Sequence, residues 1–302
     1  MRIRSGKITI ENTNLCPANC TICPRDKYMG EPGIMDLNLF AKIINSLSKQ
    51  TNIDTIDIGG YGEPFADRLL FDRCRIIRDK LPNVKIFTSS NCYLMHQGIH
   101  NDVAEYIDAL KISVYGVTKE VYEKCHRGSL TIEKTYENIL KLLQRDKKPY
   151  TIGLLTLSDD NRHEKDEWIK FWEARLDEVY VWLPHNFGGL MNFRTIDRTR
   201  QISCGRPFNG PLYVHLDGKV SMCCLDINKK LILGDLNTQT IPEIFHGNAY
   251  RRIRKAHREK NFKGLLCENC CQTNYNPEVL VYASNKDRAV GKLNSNLKAL
   301  YE

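Results

Sequence analysis

The stretch KITIENTNLCPANCTICP, residues 7–24, decides the fold of this chain. It opens with alternating apolar residues, which predict a half-buried strand from Lys7 to Asn12. Three cysteines follow in quick succession: Cys16, Cys20 and Cys23. Because they are spaced Cys-x3-Cys-x2-Cys, they bring three thiols onto one short loop directly after the strand.

A loop with three thiolates predicts a metal site that the protein does not saturate. A cubane iron–sulfur cluster has four irons and is usually held by four cysteines. Three cysteines leave one iron open to a non-protein ligand, and an open position is typical of a reactive metal site rather than a structural one. A zinc knuckle or a disulfide loop is the alternative, although zinc would need a fourth ligand and the next cysteine is Cys74.

Strand-like and helix-like segments alternate over the first two-thirds of the chain. Asp36, for example, is the expected N-cap of a helix with apolar residues at Phe40, Ile43, Ile44 and Leu47. This alternation predicts an α/β fold with a parallel sheet and right-handed crossovers. Six strands are too few for a closed eight-stranded barrel, so we expect an open six-stranded parallel (β/α)6 partial barrel. The predicted strands are Lys7–Asn12, Thr55–Gly60, Val84–Ser89, Leu110–Tyr115, Tyr150–Leu157 and Glu178–Pro184.

The alternation stops around residues 185–203, and a smaller α+β module is predicted after it. Asp217-Gly218 between two alternating runs predicts a hairpin, and the following pattern predicts a helix from about Ile241 to Asn261. We therefore expect one domain over residues 1–195 and a second over residues 196–302.

This second module carries its own cysteine set: Cys204, Cys223, Cys267 and Cys270. Four thiolates saturate a metal centre, so the site should be closed, and the ligands alone do not separate zinc from iron–sulfur. Cys224 and Cys271 adjoin two of these residues and are alternative ligands. The register at Cys223 and Cys224 stays open.

The first loop, Cys16-Pro17-Ala18-Asn19-Cys20-Thr21-Ile22-Cys23, resembles the signature of the radical S-adenosylmethionine (radical SAM) enzymes. The second cysteine set resembles the abbreviated "twitch" module of the SPASM group in that family. The resemblance covers roughly residues 7–271 and implies S-adenosyl-L-methionine (SAM) as cofactor. It also implies two [4Fe–4S] clusters, one open for SAM and held by Cys16, Cys20 and Cys23, and one auxiliary and held by Cys204, Cys223, Cys267 and Cys270.

The resemblance also implies cofactor contacts at the strand ends. Gly59-Gly60-Tyr61-Gly62-Glu63-Pro64 is similar to the family's GGEP-type motif, which holds the amino group of SAM, and a carboxylate beside an ammonium group is sound electrostatics. Ser113 and Arg127 are implied partners of the cofactor's ribose and carboxylate. The full implied set is Ile22, Gly60, Glu63, Asn91, Ser113 and Arg127.

The function implied is hydrogen abstraction from a substrate carbon by a 5′-deoxyadenosyl radical. The short twitch enzymes include an aminocyclitol dehydrogenase, so we expect dehydrogenation or epimerisation of a sugar-like alcohol. A peptide-modifying enzyme is the second hypothesis, and a non-catalytic iron–sulfur or zinc protein is the third. A low-potential donor such as flavodoxin or ferredoxin is the expected electron source.

The composition bounds the setting of this activity. The 302 residues carry a formal net charge of +8, much of it in the run Arg251–Lys260. That run lacks interleaved aromatic residues, so it is read as a solvated helix face and no nucleic-acid partner is expected. We see no signal peptide and no apolar run long enough to span a membrane, and clustered cysteines are typical of metal sites in a reducing cytoplasm.

Overall fold

A single mixed sheet of ten strands forms the centre of the computed structural model, which describes residues 6–49, 53–274 and 279–285. The strands are β1 (Lys7–Ile10), β2 (Thr55–Ile58), β3 (Lys85–Ser90), β4 (Ala109–Ser113), β5 (Tyr150–Thr156), β6 (Glu178–Trp182), β7 (Leu212–Val214), β8 (Lys219–Ser221), β9 (Ile232–Asp235) and β10 (Leu280–Ala283). Their spatial order is β10-β6-β5-β4-β3-β2-β1-β7-β8-β9.

Helices connect the first six strands, as the alternation of segments predicted. The helices are α1 (Leu37–Leu47), α2 (Leu70–Lys80), α3 (His100–Tyr106), α4 (Lys119–His126), α5 (Ile132–Leu143), α6 (Lys165–Glu173), α7 (Arg206–Asn209), α8 (Ile241–His246) and α9 (Asn248–Glu259). Strands β1 to β6 pair in parallel and in chain order. The expected six-stranded parallel partial barrel is confirmed.

The two faces of these parallel strands differ in polarity. Ile8, Ile56 and Ile86 point to one face and are buried in the same apolar cluster as α1 and α2. The alternate residues of the same strands point to the opposite, inner face, and they include polar and charged side chains such as Asp57 and Lys111. Because side chains alternate along a strand, one set forms the core and the other lines the inside of the partial barrel.

Helix α1 shows how local sequence sets these elements. Its N-cap is Asp36, whose Oδ1 accepts a hydrogen bond from the Leu39 N–H at 2.9 Å, as predicted. The predicted apolar stripe is buried against the sheet, and burying each such side chain contributes roughly 1.5–3 kcal/mol.

The second module extends the sheet rather than forming a separate layer. Strand β7 pairs in parallel with β1, and β8 and β9 follow as antiparallel strands. The Asp217-Gly218 hairpin is present, with Gly218 in the left-handed region at φ 80°. The domain limit between residues 195 and 196 stays a prediction, and its outer ends at residues 1 and 302 lie outside the described residues.

Three features differ from the sequence expectations. The single helix expected over Ile241–Asn261 is wrong: Gly247 has an extended backbone (φ −66°, ψ 156°) that ends α8 and caps α9. Strand β9 was not predicted, and β10, from what reads as a polar tail, pairs antiparallel with β6. Across the described residues no helix has the length and apolar character of a membrane span.

Candidate active site and metal centres

The cysteine loop, residues 16–23, lies beyond the end of β1 and rests against the C-terminal end of α4. The Asn19 N–H donates to the carbonyl oxygen of His126 at 3.0 Å, and the Thr21 N–H donates to that of Cys125 at 2.9 Å. These two bonds join the loop to a helix end that is distant in sequence. The loop conformation is therefore fixed by backbone contacts as well as by its own turns.

Two further contacts hold the loop. Gly128 approaches it so closely that an added Cβ would lie 2.2 Å from the carbonyl oxygen of Pro17. On the other side, the Arg25 guanidinium donates to the carbonyl oxygens of Ala18 at 2.6 Å and Cys16 at 3.2 Å. Residues outside the motif, Gly128 and Arg25, thus support the loop that carries the three thiols.

The three thiols are a donor set that fits a cluster of positive metal ions. Burial raises the pKa of Cys16 to about 11, and the Glu63 carboxylate adds to this shift. Burial also raises the pKa of Cys20 and of Cys23, and the other two thiolates raise that of Cys20 further. Cysteine binds metals as thiolate, so irons that replace these protons would offset the cost of holding three buried negative charges together.

His126, which the sequence did not single out as a ligand partner, touches one of these thiols. Its Nδ1 lies 3.5 Å from Cys20 Sγ, and its Nε2 accepts the backbone N–H of Tyr115 at 3.1 Å. Burial lowers the pKa of His126 to about 3, so the ring is neutral and carries one proton. Because Nε2 accepts, that proton lies on Nδ1 and points at the sulfur.

Glu63 and Asn91 lie beside Cys16, as the predicted cofactor site requires. Glu63 is fully buried and accepts hydrogen bonds from Ser90 Oγ at 2.6 Å and the Asn91 N–H at 2.8 Å. Asn91 Nδ2 lies 3.7 Å from Cys16 Sγ. Burial raises the pKa of Glu63 to about 7, although the hydrogen bonds from Ser90 and Asn91 oppose the shift. One carboxylate, one amide and one thiol therefore converge at the mouths of β2 and β3.

The remaining predicted contacts are more scattered. Ser113 ends β4 on the inner face, Ile22 is half-buried within the loop, and Arg127 is exposed, with φ 51°, directly after α4. Gly60 is exposed, but an added Cβ would lie 2.2 Å from Tyr213 Oη and 3.0 Å from the Glu11 side chain. A larger residue here would thus have to displace the Tyr213 or Glu11 side chain, and the contact of Gly60 with the cofactor stays a prediction.

The second cysteine set converges where β8, the start of α7 and the turn Leu266–Asn269 meet. The pKa of Cys267 is raised mainly by burial, and that of Cys270 mainly by its hydrogen bond with the thiol of Cys271. The charge of Cys204 raises both pKa values further. Cys223 is in the same apolar cluster as Cys267 and Cys270. Across the part of the chain that the structure describes, no three acidic, His or Cys side chains converge closely enough for a single metal ion. A cubane needs wider spacing, since each cysteine binds a different iron.

The adjacent cysteines differ in their surroundings. Cys271 Sγ accepts the backbone N–H of Asn186 at 3.4 Å, so this thiol points toward the loop after β6. Cys224 shares a hydrogen bond with Cys223 that lowers the pKa of Cys224 and raises that of Cys223. The half-buried Arg206 lies among these thiols, and Cys224 is the main cause of its raised pKa. The choice between Cys223 and Cys224 as ligand stays a prediction.

A second buried histidine contacts this set. His257 Nε2 lies 3.4 Å from Cys267 Sγ, while its Nδ1 lies 2.9 Å from the hydroxyl of Ser203. Burial lowers the pKa of His257 to about 4, so this ring is also neutral. If the Ser203 hydroxyl donates to Nδ1, the Nε2 proton points at the sulfur. In the sequence, the one indication of this role is that His257 lies four residues after Ile253, on the apolar stripe of α9.

Residues on and just beyond the inner face of the sheet interact electrostatically with both cysteine sets: Lys111 with Cys224, and Tyr115 with Cys20. Lys7 Nζ lies 2.9 Å from Asp57 Oδ2, and Thr9 Oγ1 donates to the same carboxylate oxygen at 3.4 Å. Burial lowers the pKa of Lys111, while the charges of Asp57 and Cys224 raise it. Charged and hydroxyl-bearing side chains are thus gathered inside the partial barrel.

Comparison with protein families decides the assignment. The model of the radical SAM superfamily matches residues 10–171. The chain belongs to the radical SAM superfamily. The model of the SPASM iron–sulfur cluster-binding domain matches residues 204–271 of this radical SAM enzyme.

The cofactors of the enzyme follow from these two matches. They are SAM and two [4Fe–4S] clusters, as expected from the motifs. Cys16, Cys20 and Cys23 would hold the open cluster, which would supply the single electron that activates SAM for removal of hydrogen from a substrate carbon. The residues assigned to each group stay predictions.

Two curated proteins are similar to this radical SAM enzyme. An S-adenosyl-L-methionine-dependent 2-deoxy-scyllo-inosamine dehydrogenase from Niallia circulans is 23% identical over 272 residues, which are 87% of this chain and 91% of that one. A tungsten-containing aldehyde ferredoxin oxidoreductase cofactor-modifying protein from Pyrococcus furiosus is 26% identical over 136 residues, which are 45% of this chain and 37% of that one.

Solved structures show the same fold at low identity. BtrN in complex with AdoMet and 2-DOIA has a TM-score of 0.62 at 20% identity, with 92% of this chain and 98% of that chain covered. Native anSMEcpe with bound AdoMet has a TM-score of 0.64 at 16% identity, with 88% of each chain covered. SuiB from Streptococcus suis, bound to its precursor peptide SuiA, has a TM-score of 0.65 at 11% identity and covers 88% of this chain and 70% of its own.

Proposed function

We propose that this radical SAM enzyme dehydrogenates or epimerises a small polar substrate, a sugar or an aminocyclitol. The observation that carries the proposal is the polar inner face of the sheet, which both cysteine sets influence electrostatically. Lys111 lies there within the electrostatic influence of Cys224. Ser113, two residues along the same strand, hydrogen-bonds to Tyr115, whose pKa is raised mainly by burial and also by Cys20. A substrate bound between these residues would lie near both centres.

The side chains of this face suit a hydroxyl-rich ring. Asp57 accepts hydrogen bonds, Lys111 donates them, and the Thr9 hydroxyl does either. A bound polyol leaves buried polar groups unpaired unless each of its hydroxyl groups finds a partner, so such a site would discriminate strongly among isomers. The named activity of the Niallia circulans relative, which matches along nearly its full length, supports the same substrate class.

The chain's own residues would position the substrate and exclude water. The apolar outer face of the sheet and the helices packed on it keep the strands rigid, so the inner side chains hold their positions. A dehydrogenation must release one electron and one proton besides the abstracted hydrogen atom. The second centre, which would lie near Cys224, would take up that electron.

The test uses 2-deoxy-scyllo-inosamine with deuterium on its ring carbons. We expect anaerobically reconstituted enzyme with SAM and dithionite to move deuterium into 5′-deoxyadenosine and to yield a ketone or an epimer. Lys111→Met should lower this transfer about tenfold through loss of one charged hydrogen bond. Lys80→Met, which changes an exposed lysine on α2, is the matched control. Formation of 5′-deoxyadenosine without deuterium, from this compound and from related aminocyclitols and sugars, would contradict the proposal.

A peptide substrate is the second candidate, favoured by one specific observation. An open cavity of about 790 Å³ is lined by the loop after β6, including Asn186, Arg194 and Arg198, and by Lys230 and Asn269. The lining combines basic and amide side chains, which can hydrogen-bond to a peptide backbone, and SuiB, a structural relative, was solved with a precursor peptide. Modification of a peptide encoded beside this gene, with no reaction of aminocyclitols, would establish this alternative.

We also propose a flavodoxin or ferredoxin as electron donor and a cytoplasmic setting. An open [4Fe–4S] cluster needs a low-potential one-electron donor. Its cysteines must stay reduced, which a cytoplasmic glutathione and thioredoxin pool ensures. Turnover with purified flavodoxin in place of dithionite tests the donor.

A further inference from the structure

Helix α9 presents a strongly basic surface that the proposed function does not use. Its sequence, NAYRRIRKAHRE, contains six Lys, Arg or His residues and one acid, Glu259. Arg251, Arg252, Lys255 and Arg258 are exposed. Lys260 and Lys263 continue the exposed positive charge beyond the helix. We call these six residues the basic surface.

The charge on this surface is largely uncompensated by local acids. Glu259 pairs with Lys255 at 3.8 Å, and among the described residues this is the one ion pair that α9 forms. Arg254, by contrast, is half-buried, donates to the carbonyl oxygens of Pro207 and Phe245, and stacks on Tyr250. Arg254 therefore serves packing, and the basic surface is left to face solvent.

The opposite face of the same helix contacts the second cysteine set. Tyr250, Ile253 and His257 are buried on it, and His257 Nε2 lies 3.4 Å from Cys267 Sγ. His257 also forms a hydrogen bond with Ser203, the residue directly before Cys204. A helix with its side chains is about 10–12 Å across. A partner on the basic surface is thus separated from a cysteine of this set by a single helix.

We propose that the basic surface is the docking site of a small acidic electron-carrier protein, a flavodoxin or a ferredoxin, which exchanges electrons with the second centre. The inference rests on the proposed function, because a dehydrogenation leaves one electron in the protein at each turnover. That electron must pass to an oxidised one-electron carrier. The carrier then dissociates from the basic surface in its one-electron-reduced form. A carrier with a negative surface is attracted to this position by charge and is held close to the centre.

The surface chemistry favours a protein over a nucleic acid. Protein surfaces that bind single-stranded nucleic acid combine positive charge with aromatic side chains on which bases stack. On α9 the one aromatic residue, Tyr250, is buried under Arg254, and the nearby half-buried Phe208 is covered by Arg258, so neither ring is open for stacking. Charge without stacking is typical of electrostatically steered protein encounters, which are fast and sensitive to salt.

The experiment measures binding of a purified flavodoxin of net negative charge to the reconstituted enzyme. We expect Arg251→Glu/Arg252→Glu to weaken binding about tenfold or more at low salt, because it reverses two charges in the surface. We also expect flavodoxin binding to depend less on salt concentration in this variant. The matched control is Lys141→Glu/Lys147→Glu, which makes the same change in net charge at exposed lysines in and after α5 and should bind as the parent does.

A second measurement separates loss of docking from loss of folding. Dithionite is a small reductant and needs no protein docking site. Single-turnover reduction of the enzyme's clusters by dithionite should therefore proceed in the α9 variant as in the parent. Re-oxidation of the second centre by oxidised flavodoxin should slow about tenfold. The rate of this re-oxidation in the milder variant Arg251→Gln/Arg252→Gln should fall between the rates of the parent and the charge-reversed variant.

The proposal would be overturned if the charge reversals on α9 and at Lys141 and Lys147 changed flavodoxin binding equally. It would also be overturned if single-stranded DNA bound more tightly than flavodoxin and its binding depended on Arg251 and Arg252. Failure of the proposed function is distinguishable from this. In that case no aminocyclitol reacts with dithionite-reduced enzyme, while flavodoxin binding still depends on Arg251 and Arg252.

Discussion

At the residue scale, each of the two cysteine sets has a buried neutral histidine against one sulfur. Cys20 with His126 and Cys267 with His257 form the two contacts, at 3.5 Å and 3.4 Å. Hydrogen bonds to the sulfurs are one of the means by which a protein sets the reduction potential of an iron–sulfur cluster. Spacing in the sequence predicts the cysteines, but not these partners. His126 is 106 positions from Cys20, and only the fold brings them together.

Glu63 is the residue for which a pH dependence is expected. Burial raises its pKa to about 7, so the carboxyl is neutral below that pH and ionised above it. The ionised form would accept a hydrogen bond from the amino group of SAM, so SAM should bind more weakly as the pH falls through about 7. Glu63→Gln should weaken binding by about 1.5–3 kcal/mol above pH 7 and remove the pH dependence.

Equilibrium binding of SAM to reconstituted enzyme from pH 6 to pH 8.5 provides the measurement. Glu178→Gln is the control, since Glu178 is also buried but lies on β6, where its carboxylate accepts hydrogen bonds from Tyr150 and Tyr180. An unchanged pH profile in Glu63→Gln would show that another group controls binding.

At the scale of elements, the predicted strands lie within a few residues of the observed ones. Each is bounded by polar or turn residues and carries the alternation that a two-faced sheet requires. The break at Gly247 was missed because the apolar period continues through it, from Ile244 to Tyr250 and Ile253. Strand β10 was missed because its pairing depends on the free edge of β6, which no local pattern reveals.

The contact between α4 and the cysteine loop makes Gly128 a sensitive position. Gly128 has φ 75°, and an added Cβ would lie 2.2 Å from the Pro17 carbonyl oxygen. Gly128→Ala should therefore push the loop away from α4 and lower the iron bound at Cys16, Cys20 and Cys23, with the second set unaffected. Gly264→Ala is matched to it, because Gly264 has the same φ of 75° but nothing within 4 Å of the added Cβ.

Iron content and electron paramagnetic resonance of the two variants test this. The left-handed conformation alone costs alanine about 1–2 kcal/mol, and both variants share that cost. Equal iron loss in Gly128→Ala and Gly264→Ala would indicate backbone strain rather than the contact with Pro17.

At the scale of the whole molecule, the two cysteine sets are carried by one sheet but by different strands. The first follows β1, and the second is grouped around β7 to β9 and α9. The sequence predicted two separate modules and did not reveal that their strands are hydrogen-bonded edge to edge. Such pairing joins residues about 200 positions apart and has no signature in local composition.

Because separate elements hold the two sets, loss of one should leave the other intact. Cys16→Ala/Cys20→Ala/Cys23→Ala should lower the iron content from about eight to about four per chain. It should also abolish cleavage of SAM while the remaining cluster stays reducible. Replacing Cys74, Cys92 and Cys125 by alanine is the control for loss of three thiols. A triple variant of the loop that binds no iron at all would show that the two centres assemble as one.

The ladder between β1 and β7 also limits how the chain can be cut or recombined. Ile8, Thr9 and Ile10 face Leu212, Tyr213 and Val214 along it. A fragment that ended near residue 195 would expose the main-chain amides and carbonyls of β1 along a bare strand, a template for self-association. A chimaera that exchanged the C-terminal third with a relative would have to preserve this three-residue register, whatever cysteines the donor brought.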